Sequence, residues 1–185
     1  GGVGKNTIMN AVLDHTQNLT QLATYTTRNP RPGESEGKQH HFVSPDAFRT
    51  LITQNALIEY EEVHPDRFYG TPRGTVESAI KECHDLIADV DVAGAFRIKD
   101  AYPHQTVVVF VEPVALDVLE ARMKDRGESA EEIAKRMKRA EREMSYRDRA
   151  DYRIVNDNLE TAIAQLIGII SRERFIREQA VVLSQ

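Results

Sequence analysis

The chain opens on Gly1-Gly2-Val3-Gly4-Lys5-Asn6-Thr7, and no other stretch constrains the fold as strongly. Glycines let successive backbone N–H groups turn around an anion without Cβ clashes, and a helix N-terminus adds partial positive charge at the same point. A lysine directly after the last glycine can reach the outer phosphates of a nucleotide. Such a loop joins a strand to a helix and so directs the chain toward an α/β arrangement. In the pattern G-x-x-x-x-G-K-[ST] the first glycine would fall two residues ahead of Gly1. Asn6 stands where a hydroxyl residue normally holds Mg²⁺. Taken alone, the heptapeptide equally fits any glycine-rich turn before a helix over residues 7–13. The strand expected ahead of the loop is usually central in a doubly wound sheet. The sequence is therefore expected to be cut from a longer chain and, as written, to be weakly stable. A sharp unfolding transition well above about 50 °C would oppose that expectation.

A length of 185 residues suits one domain with small inserted lobes. With 29% charged and 41% hydrophobic residues the chain reads as globular, not disordered. A net charge of −5 opposes general binding to nucleic acid or anionic membranes, so an anion site must be a local arginine cluster. Cys83, the single cysteine, excludes an internal disulfide framework and fits a reducing compartment. No apolar run approaches the roughly 20 residues needed to span a bilayer, and no signal peptide is visible. A cytoplasmic enzyme or binding domain is expected.

Along the chain, Ile8, Ala11 and Val12 give the first helix an inner face. Residues 22–26 are β-prone and stop at the proline-stiffened loop 27–34. Arg28 and Arg31 on that loop are spaced to grip a phosphate with guanidinium forks, although a solvated surface loop reads the same way. Residues 40–43 form a short strand, and Ser44-Pro45 opens a helix with Phe48, Leu51 and Ile52 inward. Residues 57–63 alternate as a strand that residues 67–71 can pair with, so residues 24–72 resemble an inserted lobe. A helix over 75–82 precedes a strand at 85–91 whose end carries Asp89 and Asp91, where ligands bind in open α/β sheets. Residues 106–111 read as the clearest buried strand, closed by Pro113. Ala115, Leu116, Leu119 and Met123 line the next helix. Ser129 and Glu132 form a capping box for a charged helix striped by Ile133, Met137, Ala140 and Met144. A strand at 152–155 and a helix marked by Leu159, Ile163, Leu166 and Ile170 complete the chain.

Beyond the loop the residues run, in order, T-T-R-x-P-R-P-G-E at 26–34, F-V-S at 42–44, I-E-Y at 58–60 and Y-G-T-P at 69–72. D-V-D-x-x-G at 89–94, R-x-x-x-R-G at 122–127 and I-V-N-D at 154–157 follow. This set resembles the guanylate kinase family over nearly the whole chain, to about residue 171. The resemblance implies a P-loop nucleoside monophosphate kinase fold, with a parallel sheet core and helices on both faces. It places the core at 1–27, 73–126 and 147–185, a small mixed-β GMP-binding lobe at about 28–72 and a helical lid at about 127–146.

The implied activity is ATP-dependent phosphorylation of GMP, or dGMP, with Mg²⁺. Gly2, Val3, Gly4, Lys5, Asn6 and Thr7 match the ATP-binding loop. Thr24, Arg28, Arg31 and Tyr69 match the grip on the GMP phosphate, and His40 stands where the family has tyrosine. Glu59 matches the carboxylate that accepts the adjacent N1–H and N2–H₂ donors of guanine, with Thr71 and Asp89 as further base-reading positions. Arg122, Arg126 and Arg136 match the lid, where cations neutralise charge on the transferred phosphoryl group alongside Lys5 and Arg28. Asn6 and Asp91 are the expected metal positions, reached directly or through water. Asn6 is expected to weaken Mg²⁺ dependence or turnover, and His40 to raise GMP affinity toward acid pH. The loop 64–67 looks one residue longer than usual. A catalytically silent binding module of the same fold, or a kinase for another small phosphate ester, are the competing readings, and oligomeric state is left open.

Overall fold

The computed structural model describes residues 4–112, 116–125 and 127–183, without the side chains of Leu116, Asp117, Leu119, Arg122 and Arg139. The chain divides into two compact units, residues 17–106 and residues 1–16 with 107–185.

The 17–106 unit is organised by a four-stranded sheet in the order β3-β2-β5-β4. Its strands are β2 (Thr24–Thr26), β3 (His40–Phe42), β4 (Leu57–His64) and β5 (Arg67–Pro72). β2 pairs parallel with β3 and antiparallel with β5, which pairs antiparallel with β4. Thr24–Thr26, expected in the core, thus lies inside this sheet. The β-prone run at 22–26 contains β2; the sequence reading missed the separate β1 (Leu19–Gln21), which precedes it and pairs parallel with β6 (Asp85–Ile87).

Side chains alternate across a pleated strand, so register assigns the faces. The pairs Thr24↔His40, Thr26↔Phe42, Thr26↔Tyr69 and Glu59↔Thr71 put these residues on one face. The opposite face carries Phe68 and Leu57 against Phe48 of α2 (Pro45–Thr53), with Phe48 and Phe68 stacked at 5.0 Å. Ser44 caps α2 as its spacing predicts, accepting from the Ala47 N–H at 3.2 Å. Gly70 is required by this contact: a Cβ there would meet Leu57 Cδ1 at 2.8 Å and Phe48 Cζ at 2.9 Å. Register shifts between Leu57 and Glu59 and between Glu62 and His64 mark two bulges on β4. The second takes up a residue just before the 64–67 hairpin, where the sequence looked overlong.

α3 (Arg73–Lys81) follows β5, and β6 stops at Ile87. Asp89 and Asp91 therefore lie beyond the strand, not along one side of it as expected. Asp91 instead starts α4 (Val92–Ala101), a helix the sequence reading missed; its carboxylate accepts from the Gly94 N–H at 2.8 Å. A glycine in the first turn hides this helix from propensity, while the cap and tertiary contacts stabilise it.

In the other unit, α1 (Lys5–His15) buries Ile8, Met9 and Val12 and packs on α7 (Leu159–Leu183), which buries Ala162 and Leu166. β7 (Val109–Glu112) pairs parallel with β8 (Tyr152–Val155). The strand expected at 106–111 is shorter and only half-buried, with Val107 39% exposed. Its start is set by Asp151, whose carboxylate takes the Val108 N–H at 2.8 Å in place of a strand partner. Among the described residues only β8 lies alongside it. Pro113 and Ala115 lie outside the described residues. α5 (Leu116–Asp125) ends at Gly127 (φ 73°), where Glu128 N–H returns to Met123 O and Gly127 N–H to Lys124 O. That is the hydrogen-bond pair of a Schellman stop, and it explains the glycine in R-x-x-x-R-G. The chain then enters α6 (Ala130–Met144) through the Ser129–Glu132 capping box. Met123 and Ile133, backed by Met137 and Ala140, join α5 to α6.

Candidate functional site

Among the described residues, the buried polar side chains are Thr24, Thr26, Arg28, Glu59 and Thr71. All belong to one sheet face or to the loop leaving it. Burying a charge is costly unless partners are in place, and both buried charges have them.

Arg28 follows β2, and each of its guanidinium edges is engaged. Nη1 and Nη2 donate to the two Glu34 oxygens at 2.6 Å each, Nη1 also donates to Asn29 O at 3.0 Å, and Nε donates to the Tyr69 hydroxyl at 3.1 Å. Glu34 is returned to Arg28 by a turn over residues 31–34, closed by Glu34 N–H to Arg31 O at 3.0 Å. Pro32 and Gly33 (φ 85°) occupy its centre, the residues a type II turn requires. The Arg31 N–H donates back to Glu34 at 2.8 Å, while the Arg31 side chain is exposed. The Arg28 guanidinium holds the Glu34 carboxyl at about 2, against burial that would raise it. Sequence reasoning quoted Glu34 in a motif without giving it a role; the P-G turn two residues ahead of it was the available signal.

His40 lies opposite Thr24, with Nδ1 2.8 Å from Thr24 Oγ1, and its ring meets those of Tyr69 and Phe42 edge-on. Burial pushes His40 below its ordinary value, and the Arg28 charge adds to this. The imidazole is thus neutral near pH 7.

The second buried charge is Glu59. The Thr71 hydroxyl donates to its Oε1 at 2.6 Å, and Arg97 Nη2 donates to its Oε2 at 3.3 Å. α4 comes so close that a Cβ on Gly94 would lie 2.9 Å from Oε2. Nothing in the quoted motifs singles out Arg97. Asp89 is exposed. Burial pushes the Asp91 carboxyl up, but hydrogen bonds with Glu61 and the Gly94 and Ala93 N–H groups, and the Arg97 charge, leave it below its ordinary value. Its observed work is to cap α4.

In the other unit, Gly4 stands at the head of α1 with φ 81°, and a Cβ there would lie 2.8 Å from Asn156 Nδ2. Lys5, Asn6 and Thr7 form the first turn, which carries no acidic residue, and the Asn6 and Thr7 side chains are exposed. This is the electrostatic form of a helix-start anion site. Gly2, Val3 and Arg126, and the side chain of Arg122, lie outside the described residues. Arg136 is exposed on α6 and pairs with Glu128 at 3.2 Å. No group of three or more His, Cys, Asp or Glu able to hold a metal occurs among the described residues.

A glycine followed by a lysine at the start of a helix is the mark of the α/β phosphate-binding-loop proteins. Within that class, the guanylate kinase family model matches residues 1–173, and the chain belongs to that family. It is 40% identical over 170 residues to the guanylate kinase of Bacteroides fragilis, covering 91% of this chain and 83% of the relative. It is also 40% identical over 173 residues to that of Porphyromonas gingivalis, covering 92% of each. A crystal structure of guanylate kinase from Anaplasma phagocytophilum superposes with a TM-score of 0.76 at 29% identity, over 91% of this chain and 81% of that one. The P-loop kinase fold expected from the motifs is thereby established.

Proposed function

We propose that the protein transfers the terminal phosphoryl group of ATP to GMP or dGMP, as the names of its relatives indicate. The observation that carries this is the joint burial of Arg28 and Glu59 on one sheet face: one charge suits the phosphate of GMP, the other its base. Glu59 accepts the guanine N1–H and N2–H₂ donors, while Thr71 and Arg97 each hold one further lone pair. Adenine offers no such pair of donors, so the acceptor sites of Glu59 not taken by Thr71 and Arg97 would be shut off from water without a donor. Arg28, Arg31, Thr24, Tyr69 and His40 hold the phosphate, with Asp89 flanking the base. At the start of α1, the Gly4–Thr7 backbone and Lys5 receive the phosphates of ATP, with Gly2 and Val3 ahead of them. Arg122, Arg126 and Arg136 act from the lid, and the core, lobe and lid divide about as the motifs imply, except that Thr24–Thr26 goes with the sheet of the lobe.

Mg²⁺ prefers substrate phosphates and water to an all-protein cage, which matches a chain whose described residues lack such a cage. Asn6 would face it with its amide oxygen, and Asp91 through water. An ion held there would supply positive charge against the phosphates. No described helix is long and apolar enough to cross a membrane. A cytoplasmic place in purine nucleotide metabolism goes with this reading.

The test is Mg-ATP-dependent phosphorylation of GMP, AMP, CMP and UMP. GMP-selective turnover is expected, with Glu59→Gln losing about two orders of magnitude in kcat/KM for GMP. Equal use of the four nucleotides, or an unaffected Glu59→Gln variant, would overturn the base assignment. Tight GMP binding without turnover would indicate a binding module instead.

A further inference from the structure

We propose that Arg97 is a specificity-determining positioning residue, fixing the second oxygen of Glu59 so that the carboxylate presents both oxygens to a guanine. The inference rests on the base-reading role given to Glu59 above.

An ionised carboxylate has about four lone-pair sites. Thr71 uses one on Oε1 at 2.6 Å, and Arg97 uses one on Oε2 at 3.3 Å. One site on each oxygen is left, which matches the two adjacent donors of the guanine edge. With Thr71 alone, only Oε1 would be anchored. The terminal torsion of glutamate is broad, so Oε2 could then swing away from the position that a second donor needs.

The approach of α4 is what allows this contact. The glycine requirement at position 94 shows that the helix meets Glu59 at close range, and Arg97 stands three residues further along, on the same helix face. Asp91 fixes the start of that helix through its cap. Arg97 reaches Glu59 from the solvent side: its side chain is 45% exposed, against 7% for that of Glu59. Its partner, not its own burial, makes it consequential.

The test compares GMP with IMP, which keeps the N1–H donor and lacks the 2-amino group. In Arg97→Ala, kcat/KM for GMP is expected to fall about tenfold, mainly through KM, because a hydrogen bond that depends on a charged acceptor is misplaced. IMP is expected to change by less than about threefold, since it never used the second oxygen in this way. The GMP:IMP ratio therefore drops, and Arg97→Lys recovers part of it with a single point donor. A merely structural arginine would lower both substrates together.

An Arg97→Ala ratio within about twofold of the wild type, whether neither substrate changes or both fall, overturns the proposal; that margin is well below the loss of one charged hydrogen bond. Thermal unfolding is followed in parallel. If the alanine variant fails to fold, Arg97→Gln carries the same comparison. A wild type without GMP preference, or a Glu59→Gln variant that retains it, refutes the base reading itself. An intact Glu59 effect with an unmoved Arg97 ratio refutes only this inference.

Discussion

Replacing Glu34 by glutamine tests the idea that the arginine grip is pre-assembled by an internal counter-ion. Arg28 is 8% exposed and both of its terminal nitrogens meet Glu34 at 2.6 Å. Glutamine keeps the shape and one acceptor but loses the charge and one of the two bonds. Moving a carboxyl from 4.5 to about 2 corresponds to a ceiling of ~3 kcal/mol. Solvent reaches part of Glu34, which lowers the expectation to ~2 kcal/mol. For a chain of this size that is a fall in Tm of about 4–8 °C. The pH dependence has a definite sign. A carboxyl whose pKa is depressed on folding contributes its full stabilisation above about 4.5 and loses it as pH falls through about 2. The gap between wild type and Glu34→Gln in urea unfolding should therefore be widest at pH 7 and close between about pH 4.5 and 2. Equal stability at pH 7, or a gap that persists in acid, would refute the reasoning.

Gly70→Ala should destabilise the 17–106 unit by about 1–3 kcal/mol, because its Cβ meets two fixed core side chains; urea unfolding measures this, and a neutral result would mean that α2 can shift freely. Since burial keeps His40 neutral, KM for GMP should not follow a histidine titration between pH 8 and about 6.5, and a histidine-dependent rise in affinity should appear only at lower pH. A rise beginning above pH 7 that Asn, Gln or Phe at position 40 abolishes would contradict it. Asn6→Ser should lower the Mg²⁺ concentration needed for half-maximal rate or raise turnover, and an unchanged Mg²⁺ profile would show that the exposed amide is not near the ion.

What the sequence made legible was local. Ser44-Pro45, Ser129 with Glu132, and the alternation of 57–63 each encode their element in a few neighbouring residues, and each forms as read. Glycines were harder to place. Gly94 and Gly70 each looked like part of a motif; Gly94 admits a helix against Glu59, and Gly70 is a packing requirement of Phe48, more than 20 positions away. Arg97 shows the limit most clearly, because its partner is 38 residues distant and no periodicity connects them. The strand at 106–111 was overread for a related reason. A run of valines signals burial, but its ladder begins only where the Asp151 side chain releases it.

On the proposed reading, the two arginines of the grip would divide the work of meeting a dianion. A guanidinium carries five donors. Four of those on Arg28 are engaged by Tyr69, Asn29 and Glu34, so it is held in place and has one N–H left for a phosphate. Its charge is already matched by Glu34, and it contributes a fixed position more than net attraction. Arg31 has the opposite character: its backbone is tied to Glu34 while its side chain is exposed, so it can bring an uncommitted positive charge to the ligand. Fixing a long side chain costs conformational entropy, which Arg28 has lost on folding and Arg31 would lose on binding. Removing Arg28 should therefore cost both stability and GMP affinity. Arg31→Ala should raise KM for GMP with stability unchanged, and a comparable loss of stability in the two variants would show that this division is wrong.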